Sequence, residues 1–459
     1  MSTASQHTSP ESFEHRDAAE LAALVSAIPR LIIQLGGRLV PGPWNYQEHR
    51  IRLQHRPGAG ISALYRMPAG TGFAELGVST EKIAATDVAS VQIYPHRESD
   101  SQPGHNPLAE TFHAAHDPAV TVSGWIHPFD PMLPALATAM DGSKVSELWG
   151  HGDILKQLST IAYRPLRRAV IRATFVSRGP LKIERTIFLK VGRTDASEAL
   201  LARHRLMEQS SVPVPRVLIP EGRSTALPGI VALEQGQGES LSVVLRRADQ
   251  SLLARPAGAH HDRSSTAVPA PEQFIALLDA LPEATMQLPT RPAWSDGLYR
   301  YVRAAILALP QHHDRIRLLQ KRLEFLLDSS ERGERLPTHG DFYVANILLK
   351  DGKVSALLDL DSLGPGYRVD DLACFLGHLA ILPTIGQKNQ SAVSALENYG
   401  EVFEHTVDPV ALWARSAAVA LTLIAGARTA GTQWVVAAEA RLRVAEELLA
   451  RADRRLPQS

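Results

Sequence analysis

The sequence is short of several things, and each shortage excludes something. One cysteine, Cys374, stands among 459 residues. No intrachain disulfide can form, which suits a reducing compartment. Net charge is absent: 48 basic residues balance 48 acidic ones. That balance argues against binding to nucleic acid or to an anionic membrane by charge. No apolar run is long enough to span a bilayer. The longest, SAAVALTLIAGA over 416–427, reads as a buried helix. The N-terminus, MSTASQHTSPESFEHRD, lacks the apolar core of an export signal. The expectation is a cytoplasmic protein with no nucleic-acid or membrane partner. Its oligomeric state is not legible.

What is present is ordinary globular material, 44% hydrophobic and 21% charged. The length predicts about three domains or subdomains. Residues 1–30 read as a polar tail and a short helix, with the helical pattern over 17–29 stopping at Pro29. Residues 31–150 read as a β-rich domain, with strands at RIRLQH, ISALYRM, FAELGVS and VASVQIYP. Residues 151–238 form a second strand-rich block, with LSTIAY, RRAVIRATFV, ERTIFLKV and PGIVALEQ as strands and one helix before the last. Residues 239–459 are mainly helical, broken by a loop at 255–271 and a strand-loop-strand region at 343–361.

The two strand-rich blocks resemble each other. His55-Arg56-Pro57, a strand ending Leu64-Tyr65-Arg66, and Leu76-Gly77-Val78-Ser79 recur in order. Their counterparts are Tyr163-Arg164-Pro165, Ala169-Val170-Ile171-Arg172 and Leu189-Lys190-Val191-Gly192. This reads as a degenerate repeat of one sheet unit. Gly77 stands where the second block has Lys190.

The strongest chemical signal is Thr338-His339-Gly340-Asp341-Phe342-Tyr343-Val344-Ala345-Asn346, running into the apolar Ile347-Leu348-Leu349. A second apolar strand ends at Asp359, and Asp370-Asp371-Leu372-Ala373 opens a helix. The pattern suits phosphoryl transfer. A loop carboxylate, Asp341, can accept the proton of an acceptor hydroxyl. Asn346 and Asp359 offer a neutral and an anionic oxygen to Mg²⁺. A tight turn at Asp351-Gly352 would return Asp359 to the side of Asn346.

These motifs resemble the aminoglycoside phosphotransferase and choline kinase family, which has the protein-kinase-like fold. The likeness covers about residues 158–459. It implies an α+β, two-lobe protein: a small β-rich nucleotide lobe, a large helical lobe, and here an additional N-terminal β-rich domain. That addition resembles the maltokinase-type arrangement. The implied activity is an ATP-dependent small-molecule kinase, with ATP or another nucleoside triphosphate and Mg²⁺ as cofactors. The γ-phosphoryl group would pass to a hydroxyl of a small-molecule acceptor. Asp341 would be catalytic, Asn346 and Asp359 metal ligands, and His339 and Asp371 supports of the loop.

The family's phosphate-holding lysine matches Lys190, conspicuous because only nine of the 48 basic residues are lysine. Its ion-pair partner would be Glu198, with Glu208 as rival. Glu234, Gln235 and Gly236 fall where the base edge would pair with the hinge between lobes. One departure stands out. The turn between the first two strands of the second block, Arg164-Pro165-Leu166-Arg167-Arg168, has no glycine. An arginine there, Arg167, could hold phosphate by charge instead.

The acceptor stays open among aminoglycosides, sugars, amino-alcohols and macrolides. Trp294, Asp296, Tyr299 and Tyr301 are candidates to line its pocket. A nucleotide-binding pseudokinase or scaffold is the alternative. A protein kinase fits poorly, because twelve positions from Asp359 to Asp371 leave little room to dock a peptide. His260-His261-Asp262 and His312-His313-Asp314 read as solvated loop residues.

Overall fold

The computed structural model describes Leu24, Val25, Ala27 and Ile28, then residues 50–56, 60–69, 72–81, 112–113, 121–253, 268–385, 390–427 and 433–457. The chain divides into two compact units, residues 1–201 with 217–235 and residues 202–216 with 236–459. The first is rich in strands and the second in helices, the α+β composition expected. The strand expected at VASVQIYP and the pair His260-His261 lie outside the described residues.

The first unit holds two antiparallel sheets. One contains β1 (Arg50–Arg56), β2 (Gly60–Ala69), β3 (Gly72–Ser79), β4 (Phe112–His113) and β5 (Thr121–Ile126), in the order β1-β2-β3-β5-β4. The other contains β6 (Ile154–Arg164), β7 (Arg168–Val176), β8 (Glu184–Gly192), β9 (Val217–Leu218) and β10 (Ile230–Glu234), in the order β6-β7-β8-β10-β9. The two sheets share one strand order.

Strand alternation decides which core each residue joins. Ile61, Ala63 and Tyr65 of β2 pack with Leu24 and Ile28, whereas Leu64 joins the core of the second sheet. That second core also takes Leu133, Leu136, Ala139, Val145 and Trp149. These residues belong to α1 (Leu136–Met140), α2 (Gly142–Trp149) and the turn before them. Asp141 caps α2 by accepting from the Ser143 and Lys144 N–H groups. Residues 133–149 thus pack into the core of the second sheet.

Helix α3 (Thr194–Met207) follows β8. The second unit opens with β11 (Glu239–Ser240) and α4 (Leu241–Leu253). Next come α5 (Pro271–Asp279), α6 (Leu298–Ala308) and α7 (His313–Ser329). Strand β12 (Arg335–Thr338) pairs with β15 (Gly364–Tyr367), and β13 (Ile347–Lys350) with β14 (Lys353–Leu357). Helices α8 (Arg368–Ile381), α9 (Gln390–Phe403), α10 (Pro409–Thr422) and α11 (Trp434–Asp453) complete it. Every residue of α10 from Val410 to Leu421 is buried, which accounts for the first half of the longest apolar run; the rest runs past the helix end and is partly exposed, with Gly426 at the surface. Among the described residues no helix is long and apolar enough to cross a membrane. Phe342 of the loop motif packs on Phe274 and Phe375, and Tyr399 and Phe403 pack on Phe375 behind it. These rings fix the loop from beneath by aromatic packing.

Candidate active site

The loop after β12 carries the reactive candidates. Its backbone is held from inside by the fully buried Asp371, on the first turn of α8. The His339 and Gly340 N–H groups each donate to its carboxylate at 2.8 Å. Burial pushes the Asp371 pKa up to about 7, and those two hydrogen bonds pull against the rise. Gly340 has φ +77°, and a Cβ there would lie 2.6 Å from the Ser362 carbonyl oxygen. Only glycine fits that turn.

His339 links the loop to the next strand. Its Nδ1 accepts the Asp341 N–H at 3.3 Å, so its Nε2 carries the proton and donates to the Leu358 carbonyl at 2.9 Å. The carbonyl it holds precedes Asp359. The hairpin of β13 and β14 does the rest. Ile347 pairs with Leu357, and the Leu358 N–H donates to the Asn346 carbonyl at 2.7 Å. Asn346 and Asp359 therefore flank the same end of one hairpin, as the sequence spacing predicts. Asp359 has φ 63°, a strained conformation for a residue with a side chain. The Asn346 Nδ2 donates to the Asp341 carbonyl at 3.0 Å, which leaves its Oδ1 as the atom able to face a cation. One amide oxygen and one carboxylate form a hard-oxygen set that fits Mg²⁺.

Around Asp341 the structure adds residues that the motif does not announce. The Trp294 indole N–H donates to Asp341 Oδ1 at 3.3 Å. A ligand atom each of Asp341, Cys374 and His378 lie within 4.8 Å of one another. Burial pushes the Cys374 thiol well up and lowers His378 to about 4. The imidazole is therefore neutral at pH 7.

A cavity of about 450 Å³ opens beside the loop, lined in part by Gly340, Trp294, Asp296, Arg332 and Asp370. The expected lining residues divide here. Trp294 and Asp296 line it, Tyr301 backs the indole at 5.7 Å between ring centres, and Tyr299 is exposed on α6. Arg332 bridges the two acids, with contacts of 3.0 Å to Asp296 and 2.8 Å to Asp370. Nothing in the sequence marks Arg332 for this role.

The nucleotide-side candidates lie elsewhere in the chain. Lys190 sits half-buried in β8, opposite Val170 on one side and Val231 on the other. Glu198 is exposed on α3, and its side chain makes no hydrogen bond or ion pair among the described residues, Lys190 included. Glu234 ends β10, the Gln235 N–H donates to the Thr186 carbonyl at 3.3 Å, and the chain passes from the first unit to the second at Gly236. A Cβ at Gly236 would meet Leu348 at 2.7 Å.

The glycine-free turn has its own support. Leu166 has φ 63°, and its N–H donates to the buried Asp130 Oδ2 at 2.7 Å. The Tyr163 hydroxyl donates to the same oxygen at 2.7 Å and accepts the Trp125 indole N–H at 3.1 Å. Arg167 pairs with Glu81 at 2.9 Å. A carboxylate thus already occupies the guanidinium expected to meet phosphate. Asp130 and Glu81 escaped sequence reasoning because they lie 36 and 86 positions from their partners.

Residues 181–402 match the phosphotransferase enzyme family. No curated protein matches the chain. Among solved structures, one similar chain is a thermostable mutant of aminoglycoside phosphotransferase APH(4)-Ia in a ternary complex with AMP-PNP and hygromycin B. It is 14% identical, with TM-score 0.41, covering 68% of this chain and 98% of that one. Another is an aminoglycoside-3'-phosphotransferase of type VIII, 20% identical with TM-score 0.38, covering 59% and 94%. A third is the macrolide 2'-phosphotransferase MphH from Brachybacterium faecium, 20% identical with TM-score 0.35, covering 64% and 95%.

Proposed function

We propose, for a chain whose residues 181–402 match the phosphotransferase enzyme family, that it transfers the γ-phosphoryl group of ATP to a hydroxyl of a small molecule with Mg²⁺ as cofactor. The observation that carries this reading is the loop held by Asp371, which sets Asp341 beside the hairpin end bearing Asn346 and Asp359. In the reaction the acceptor O–H bond breaks and its proton passes to the Asp341 carboxylate. The acceptor oxygen bonds to the γ-phosphorus, the bond to the bridging oxygen breaks, and ADP leaves.

Each residue then has a task. Asp341 orients the hydroxyl and receives its proton. Asn346 Oδ1 and the Asp359 carboxylate hold Mg²⁺, which neutralises phosphate charge when bound. Lys190 holds nucleotide phosphates, and the backbone from Glu234 to Gly236 meets the base. His339 and Asp371 keep the loop in register. Arg167 serves the phosphates only by leaving Glu81. The second reading, a nucleotide-binding scaffold without turnover, is favoured by the glycine-free turn, whose Arg167 is taken by Glu81, and by Glu198, which has no ion pair among the described residues.

The test is a melting curve with ATP and Mg²⁺, because a ligand of the folded state raises its stability by mass action. A rise with both together and a smaller one with ATP alone is expected. No shift at millimolar ATP and Mg²⁺, in folded protein, removes the proposal. A shift with no phosphorylated product from any acceptor class supports the scaffold.

A further inference from the structure

We infer that the acceptor is an uncharged or anionic polyhydroxy compound of the carbohydrate kind, bound against Trp294, and not a polycation. The inference rests on the phosphotransfer reading and deepens it.

Its first support is the position of Trp294. The indole lines the cavity, and its N–H holds the Asp341 carboxylate at 3.3 Å. Tyr301 packs against the ring at a 43° tilt, which restrains it from one side. A ring compound lying on that indole presents a hydroxyl next to Asp341. Such a flat apolar face with a few fixed polar groups is the usual build of a small-molecule pocket, and an indole combines both.

The second support is electrostatic. A polycationic acceptor carries several ammonium groups, and each needs a carboxylate to offset its lost hydration. The acids lining this cavity are already engaged. Asp296 takes Arg332 at 3.0 Å and the Ala293 N–H at 2.9 Å. Asp370 takes Arg332 at 2.8 Å and the buried Arg415 at 3.5 Å. Asp371 is spent on the loop backbone. An incoming ammonium would have to displace a guanidinium that is half-buried and stacked 4.3 Å over Tyr367.

The rim points the same way. Arg291 and Arg335 line the cavity and are exposed. Arg335 donates to the Thr290 hydroxyl at 2.7 Å, and Arg291 forms no ion pair among the described residues. These groups repel a polycation and can donate to hydroxyl or carboxylate oxygens.

The experiment uses the full-length protein and follows ATP consumption with mass detection of product. Glucose, sucrose and inositol serve as neutral probes, glucuronate as the anionic probe, and kanamycin and hygromycin B as polycations. Product is expected from at least one neutral or anionic probe, with kcat/KM for the polycations lower by about 100-fold or more. Trp294→Leu should raise the acceptor KM by about 10-fold while the ATP KM stays within about 2-fold. Melting with ATP and Mg²⁺ runs on the same sample. No shift there overturns the phosphotransfer reading itself. A shift with a polycation as the best acceptor overturns this inference alone. So does a shift with no product from any uncharged or anionic probe, and so does an unchanged acceptor KM in Trp294→Leu.

Discussion

Gly77 and Trp125 face each other across the pairing of β3 with β5, and a Cβ on Gly77 would lie 2.2 Å from the Trp125 indole. The ring thus fills the space where the matching position of the other sheet carries Lys190. It is fully buried, and its N–H reaches Tyr163 of that other sheet. In this copy of the shared strand order, a bulky apolar ring stands where the other sheet carries a lysine.

That contact sets the first expectation. Gly77→Ala forces the indole or the strand to move, and overpacking of this kind costs roughly 1–3 kcal/mol. Thermal denaturation should show a lower Tm, with the ATP KM of the folded enzyme unchanged. An unchanged Tm would mean that the ring moves aside freely.

Asp130 should make stability depend on pH. Burial raises its pKa from 3.8 to about 6. Between those values the folded protein binds more protons than the unfolded chain, so this group's contribution to stability falls as pH rises from about 4 to 6 and is level above that. The span corresponds to about 3 kcal/mol at most. Asp130→Asn lacks the titration. Denaturant melts at pH 4.5 and pH 7 should show wild type losing more stability than the variant on going to the higher pH. Equal changes in both would show that Asp130 keeps an ordinary pKa.

The two site carboxylates should fail differently. Asp341→Asn keeps the loop shape but removes the proton acceptor, so turnover should fall by roughly 10²-fold or more. ATP–Mg²⁺ affinity should change little. Asp359→Asn removes an anionic ligand of a hard cation and should weaken Mg²⁺-dependent nucleotide binding as well. Calorimetric titration with and without Mg²⁺ separates them. Lost binding in Asp341→Asn with intact binding in Asp359→Asn would reverse the assignment.

Lys190 and Arg167 should differ in the same assay. Lys190→Ala removes a strand-borne cation and should raise the ATP KM by about 10-fold or more. Arg167 is engaged by Glu81, so Arg167→Ala should raise it by less than about 3-fold. A large ATP effect in Arg167→Ala, matched in Glu81→Gln by a lowered KM, would show that Arg167 swings between carboxylate and phosphate.

Much of the second unit's chemistry was legible because its groups are close in sequence. His339, Asp341 and Asn346 share one loop, and a hairpin with its turn at Asp351-Gly352 returns Asp359 to them. Alternation in β7 and β8 and the continuous apolar run of β10 likewise marked the strands, and a scarce lysine inside the apolar β8 set Lys190 apart. Helix α3 was legible, but its register was not. An amphipathic segment specifies a buried stripe, and a rotation of one residue moves a glutamate by about 100°. Glu198 accordingly lies exposed.

The sequence by itself determined strands β1 to β3, β6 to β8 and β10, the buried α10, and the spacing of the loop at 339–346, because each depends on neighbours a few residues away. Only the tertiary structure decided that Arg332 joins Asp296 to Asp370, that Trp294 holds Asp341, that Trp125 covers Gly77 and that Glu81 claims Arg167. Those pairs are far apart along the chain. Their meeting follows from which faces the sheets and helices bury together, and hydrophobic burial sums over the whole core without naming any one polar partner.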